Sequence, residues 1–85
     1  MGILEKYGPN PEQLNERVTR DDIALEIKDL KDDIEHIERK HGTVLIGERS
    51  YLNRPYTDCR GMTRAQCAYH FSAWRNSIYS RYFGK

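Results

Sequence analysis

Cys59, Cys67 and His70 are the residues whose types and spacing come nearest to metal chemistry, because Cys67-x-x-His70 is a permitted zinc ligand pair. A closed structural site takes four ligands. The fourth would have to be His36 or His41, which stand five apart and do not share a helix face. Cys67 also falls on the apolar seam of its own helix, where a cysteine is more often a small buried hydrophobe than a ligand. No metal and no cofactor is expected. Cys59 with His70 as nucleophile and base lacks an oxyanion device and a third orienting residue, so the chain reads as non-enzymatic. Two cysteines are too few for a disulfide framework and no secretory segment precedes them, so both are expected as reduced thiols.

A basic and aromatic constellation follows. Arg60, Arg64, Arg75 and Arg81 interleave with Tyr69, Tyr79 and Tyr82, and Arg64, Arg75, Tyr79 and Tyr82 fall near one stripe of a helix. Guanidinium forks match phosphate oxygens and a tyrosine face can stack on a base. Arg60-Gly61-Met62-Thr63-Arg64 places two arginines and a glycine at that helix's start, where free N–H groups attract anions. Arg60, Arg64, Arg75, Tyr79 and Tyr82 therefore form a candidate anion-binding surface. The competing expectation is that the tyrosines are core contacts and the arginines neutralise acidic neighbours.

Those acids form the other constellation. Asp22, Glu26, Asp29 and Asp33 lie at helical spacing, a ridge that could compete for the basic groove of a nucleic-acid-handling protein. Such charge runs are more often a solvated helix face.

The elements that must position these groups are helices. Thr19 has the form of an N-cap, with Asp22 at the third helical position, and Ile23, Ile27, Leu30, Ile34 and Ile37 follow at spacings of a heptad seam before Gly42 stops the run. At 1.5 Å per residue this helix is about 33 Å long. Thr63-x-x-Gln66 is a capping box, and Cys67, Phe71, Trp74 and Ile78 continue an apolar face toward Phe83 and Gly84. Upstream, Asn10-Pro11 opens a short helix predicted to reach Arg17. Between the long helices, Thr43-Val44-Leu45-Ile46 is β-like and Ser50-Tyr51-Leu52 could return as a second strand. The expected fold is mainly α: a short N-terminal helix and two long antiparallel helices, joined by an irregular or small β-hairpin connector, in one domain over residues 1–85.

Composition bounds the rest. With 85 residues, 38% hydrophobic and 32% charged, the chain has a thin core, and a partner subunit is a natural supplement. The Ile23 to Ile37 seam with Phe71, Trp74 and Ile78 offers more apolar length than one hairpin covers, so a homo-oligomer is expected. Residues 1–42 carry seven Lys/Arg against eleven Asp/Glu, and residues 43–85 seven against two, a charge dipole hidden by the net +1. Either the halves neutralise each other within the fold, or they serve two partner surfaces. No apolar run approaches a membrane span, so a cytoplasmic protein with no membrane contact is expected. The leading expectation is a small non-enzymatic helical protein that binds and inhibits or adapts a larger protein machine, of the phage or mobile-element accessory kind. The alternative is direct binding of nucleic acid or a nucleotide through the Arg/Tyr surface.

Overall fold

A computed structural model of the chain describes residues 2–84 and places them in six helices with no strand among them, so the protein is mainly α. In chain order these are α1 (Ile3–Tyr7), α2 (Pro11–Leu14), α3 (Arg20–His41), α4 (Ile46–Ser50), α5 (Pro55–Asp58) and α6 (Arg64–Phe83).

The long helices begin and end where their local chemistry dictates. At α3, Thr19 Oγ1 accepts from the Asp22 N–H at 3.2 Å and the Asp22 carboxylate accepts from the Thr19 N–H at 3.1 Å. This is a full capping box built with the shorter acid. Gly42 closes the helix at φ 68°, a left-handed conformation that side chains resist, and its N–H donates to the Glu38 carbonyl at 2.7 Å. At α6, Thr63 and Gln66 form the second capping box.

The N-terminal segment differs from expectation in two ways. The helix opened by Asn10 and Pro11 ends at Leu14 rather than Arg17. Residues 16–18 instead lie along residues 62–64: the Val18 N–H donates to the Met62 carbonyl at 2.8 Å, the Arg64 N–H donates to the Glu16 carbonyl at 2.9 Å, and Arg17 and Thr63 form an antiparallel bridge. Helix α1 was not anticipated. Its first N–H, on Ile3, donates to the buried Glu26 carboxylate at 2.6 Å, and Gly2 sits so close to that carboxylate that a Cβ there would overlap it.

Two further corrections concern how the long helices are joined. No β-hairpin forms. Leu45 is the only buried residue of the Val44 to Ile46 run, and its N–H is taken by the Glu38 carboxylate at 2.8 Å, which leaves it to start α4 instead of pairing with a strand. The long helices are also parallel, not antiparallel. Arg64 meets Asp22 at their N-terminal ends, Arg75 meets Asp33 midway, and Tyr82 and Phe83 meet His41 at their C-terminal ends. The connector makes this possible because it retraces the length of α3. Arg49 pairs with Glu38 near one end, and Tyr56 stacks with Arg20 at the other.

The core lies between α3 and α6. Leu30, Ile34, Ile37, Phe71 and Ile78 are all within 1% of complete burial, each such side chain contributing about 1.5–3 kcal/mol of burial free energy. Ile27 and Trp74 pack against this cluster half-buried. The apolar seam is thus covered inside one chain, because α1 and the connector wrap it, and the expectation of an oligomer loses the uncovered seam that motivated it.

The parallel register is open to direct measurement. Spin labels at the exposed positions Lys40 and Ser80 should lie close together, and labels at Lys40 and Gln66 should be separated by about a further 20 Å along the axis. The reverse order of distances would restore an antiparallel pair.

Candidate functional site

The two ridges read in the sequence meet each other. Arg64, the first residue of α6, is 8% exposed and Asp22 is fully buried. The guanidinium donates Nε–H to Asp22 Oδ2 at 2.8 Å, and Nη1 donates to the Gln13 carbonyl and Oε1, both at 3.2 Å, and to Glu16 Oε1 at 3.1 Å. Its face lies 4.1 Å from the centre of the Tyr7 ring, and the Tyr7 hydroxyl donates to the other Asp22 oxygen at 2.6 Å. Burial would push the Asp22 carboxyl up, but the hydrogen bonds from Arg64, Tyr7 and Thr19 outweigh it and hold the group at about 2. The same bond to Asp22, with burial, raises the Tyr7 hydroxyl.

Arg75 repeats the pattern near the middle of α6. It pairs with Asp33 through Nε and with Asp29 through Nη2, the latter at 2.8 Å, while the Tyr79 hydroxyl donates to Asp33 Oδ1 at 3.0 Å. Glu26, the remaining member of the acidic ridge, is buried and accepts from α1; its carboxyl is raised by burial, which the Ile3 N–H only partly offsets. Two further pairs tie the connector: Arg49 grips Glu38 through two bonds at 2.8 and 2.6 Å, holding that carboxyl at about 2, and Arg81 pairs with the buried Glu48.

Asp22 and Glu26 are interior, Asp29 and Asp33 are engaged by Arg75, and the ridge does not present a solvated row of carboxylates. Arg64, Arg75 and Tyr79 face those acids, and Tyr82 packs edge-on to His41 at 5.8 Å between ring centres. Arg60 alone of the anion-surface set stands exposed with no ion pair among the described residues. The five are not brought together on one surface. Cys59 and Cys67 are both fully buried free thiols, raised by burial and so protonated at neutral pH, and no group of three His, Cys, Asp or Glu side chains among the described residues could hold a metal ion.

Two surfaces remain whose side chains are not consumed by the fold. The first is the outer side of α6. This helix contains no Asp, Glu or Lys, and its three arginines all face carboxylates. Its solvent side is Gln66, Tyr69, Ala73, Asn76, Ser77 and Ser80, with Tyr69 77% exposed. Met62, Ala65, Tyr69, His70 and Ala73 line a shallow, mainly apolar groove there, and His70 also borders a small pocket under Tyr51, Arg54 and Trp74. The second is a cavity of about 690 Å³ at the start of α3, lined by Arg17, Arg20, Ile23, Tyr56, Arg60 and Gly61 among others. The absence of acids from α6 was legible beforehand as a signal. The cavity was not, because it depends on the connector carrying Tyr56 and Arg60 back to the N-terminal end of α3.

No protein-family model, curated protein or solved structure matches the chain. Among the described residues, no helix is long and apolar enough to cross a membrane.

The buried carboxylates make opposite predictions. Asp22→Asn leaves Arg64 facing a neutral partner at a buried site and should lower unfolding free energy by about 3 kcal/mol. Glu26→Gln keeps an acceptor for Ile3 and removes a charge that burial disfavours, so at pH 7 it should leave stability unchanged or raise it. Because Asp22 is depressed from 3.8 and Glu38 from 4.5, both to about 2, the unfolded chain takes up their protons first as pH falls. Their stabilisation is complete above the ordinary carboxylate range and is lost between there and about pH 2, which chemical denaturation across that interval measures.

Proposed function

We propose that the protein is a non-enzymatic interaction protein that works by docking the outer side of α6 onto a larger protein, as an accessory or inhibitory subunit. One observation carries this reading. In a chain that is 32% charged, the outer side of α6 from Gln66 to Ser80 carries no charged side chain, and the one exposed arginine of the helix, Arg81, is paired with Glu48. Protein interfaces are depleted of charge at their centres and enriched in aromatic residues, and Tyr69 stands in the middle of this face between Ala65 and Ala73, small enough to let a partner backbone approach. The reactive groups elsewhere support binding over catalysis, since the thiols are protonated and buried and four arginines are tied to acids.

The size of the face favours a larger partner over a second copy. A helix of this length presents about 300 Å² along one side, below the about 800 Å² per partner of a stable complex. A groove that holds α6 and reaches the pocket under Tyr51 and Trp74 makes up the difference. The acidic ridge plays no part in this docking, because its carboxylates are engaged within the fold.

A photoreactive side chain at position 69 should crosslink in native cells to one larger protein, with Ala73→Arg abolishing the product and a probe at the exposed Lys28 of α3 giving none. Equal crosslinking from positions 69 and 28 contradicts the reading. A product of twice the chain's own mass, matched by a dimer in sedimentation equilibrium, replaces the larger partner with a second copy.

A further inference from the structure

We propose that the cavity at the start of α3 binds a phosphate group bearing two or more negative charges, held by Arg17, Arg20 and Arg60. The fold sorts its arginines. Arg49, Arg64, Arg75 and Arg81 each face a carboxylate, and of the five arginines with no ion pair among the described residues, Arg17, Arg20 and Arg60 share one cavity while Arg39 and Arg54 stand outside it. No acid lines that cavity. Three guanidinium groups gathered without a counter-charge repel one another, and an anion between them reverses the sign of the interaction.

The three are held by separate parts of the structure. Arg17 lies in the segment bridged to Thr63, Arg20 opens the capped helix α3, and Arg60 precedes Gly61, whose φ of 89° turns the chain into α6. The Arg20 guanidinium stacks 4.6 Å from the Tyr56 ring centre. Stacking occupies the face of the group and leaves its N–H edge, the fork that matches two phosphate oxygens, available to a ligand. Against three positive charges a monoanion leaves two uncompensated, a phosphomonoester dianion one and a pyrophosphate trianion none, so a multiply charged phosphate is the better match. The cavity, at about 690 Å³, falls within the range of small-molecule sites. Ile23 and Tyr56 add an apolar wall for whatever carries the phosphate. The carrier is a nucleotide or the phosphorylated end of a nucleic acid strand, which share this chemistry.

This site is independent of the α6 docking face and is tested separately. Inorganic pyrophosphate, a nucleoside triphosphate, and one oligonucleotide with either a 5′-phosphate or a 5′-hydroxyl are titrated into wild-type protein at about 50 mM salt, where electrostatic binding is strong. Saturable pyrophosphate binding that raises the melting temperature is expected, with at least tenfold weaker binding to Arg20→Gln and Arg60→Gln and unchanged binding to Arg39→Gln, an exposed arginine elsewhere on α3. Unliganded Arg60→Gln should melt no lower than wild type, which separates loss of the site from loss of the fold. Competition against pyrophosphate then names the carrier, the triphosphate or the 5′-phosphorylated strand, by which displaces it at the lower concentration. Failure of pyrophosphate to bind, equal loss in Arg39→Gln, or equal affinity for the 5′-hydroxyl and 5′-phosphorylated strands together with no displacement of pyrophosphate by the triphosphate overturns the proposal.

Discussion

The contact between Asp22 and Arg64 is the constraint on which the arrangement of this protein depends. Asp22 belongs to the cap of α3 and Arg64 opens α6, so their bond joins the N-terminal ends of the two long helices. Tyr7 brings α1 to the same point through its hydroxyl and its ring face, and Gln13 and Glu16 bring α2 and the segment after it. A buried ion pair is weak support for a fold when it stands alone, since desolvation offsets attraction. Here Asp22 also accepts from Tyr7 and Thr19, Arg64 Nη1 also reaches Gln13 and Glu16, and no buried side-chain polar atom among the described residues is without a partner.

Once α3 and α6 start at the same end, the chain between them must return about 30 Å, and α4 and α5 are the pieces of that return path. The parallel register also explains the charge dipole of the sequence. The basic second half supplies Arg49, Arg64 and Arg75, the acidic first half supplies Glu38, Asp22, Asp29 and Asp33, and each set lies opposite the other across the interface. What this pairing leaves over is the molecule's outward chemistry. The outer side of α6 from Gln66 to Ser80 is free of charge because Arg64, Arg75 and Arg81 are paired with acids of other elements, and Arg17, Arg20 and Arg60 share a cavity that no acid lines.

Much of this was legible in the residues alone. The limits of α3 and α6 follow from Thr19, Gly42, Thr63 and Gly84, since capping is local chemistry that a few neighbours decide. The apolar seam from Ile23 to Ile37 is the core that its spacing describes. Direction was not legible, because a heptad seam packs equally well on a parallel or an antiparallel neighbour, and the choice rests on Arg64 finding Asp22, 42 residues away. The connector misled because Val44, Leu45 and Ile46 alternate in burial as a strand would, but the Glu38 carboxylate takes the Leu45 N–H that a partner strand would need. The candidate anion surface was drawn from helical spacing alone. That spacing gave Arg64 and Arg75 no hint of which face they occupy, whereas Arg60 marks a cavity whose other two arginines come from the opposite end of the sequence.

A double-mutant cycle on Asp22→Asn and Arg64→Gln, read by thermal unfolding at pH 7, tests most directly whether this one contact organises the fold. Each single change leaves a buried group without its charged partner, whereas the double change leaves two neutral amides that can bond to each other. The double variant should therefore melt no lower than Asp22→Asn alone. A melting temperature lowered by the sum of the two single losses would contradict the account and make the pair two independent surface groups.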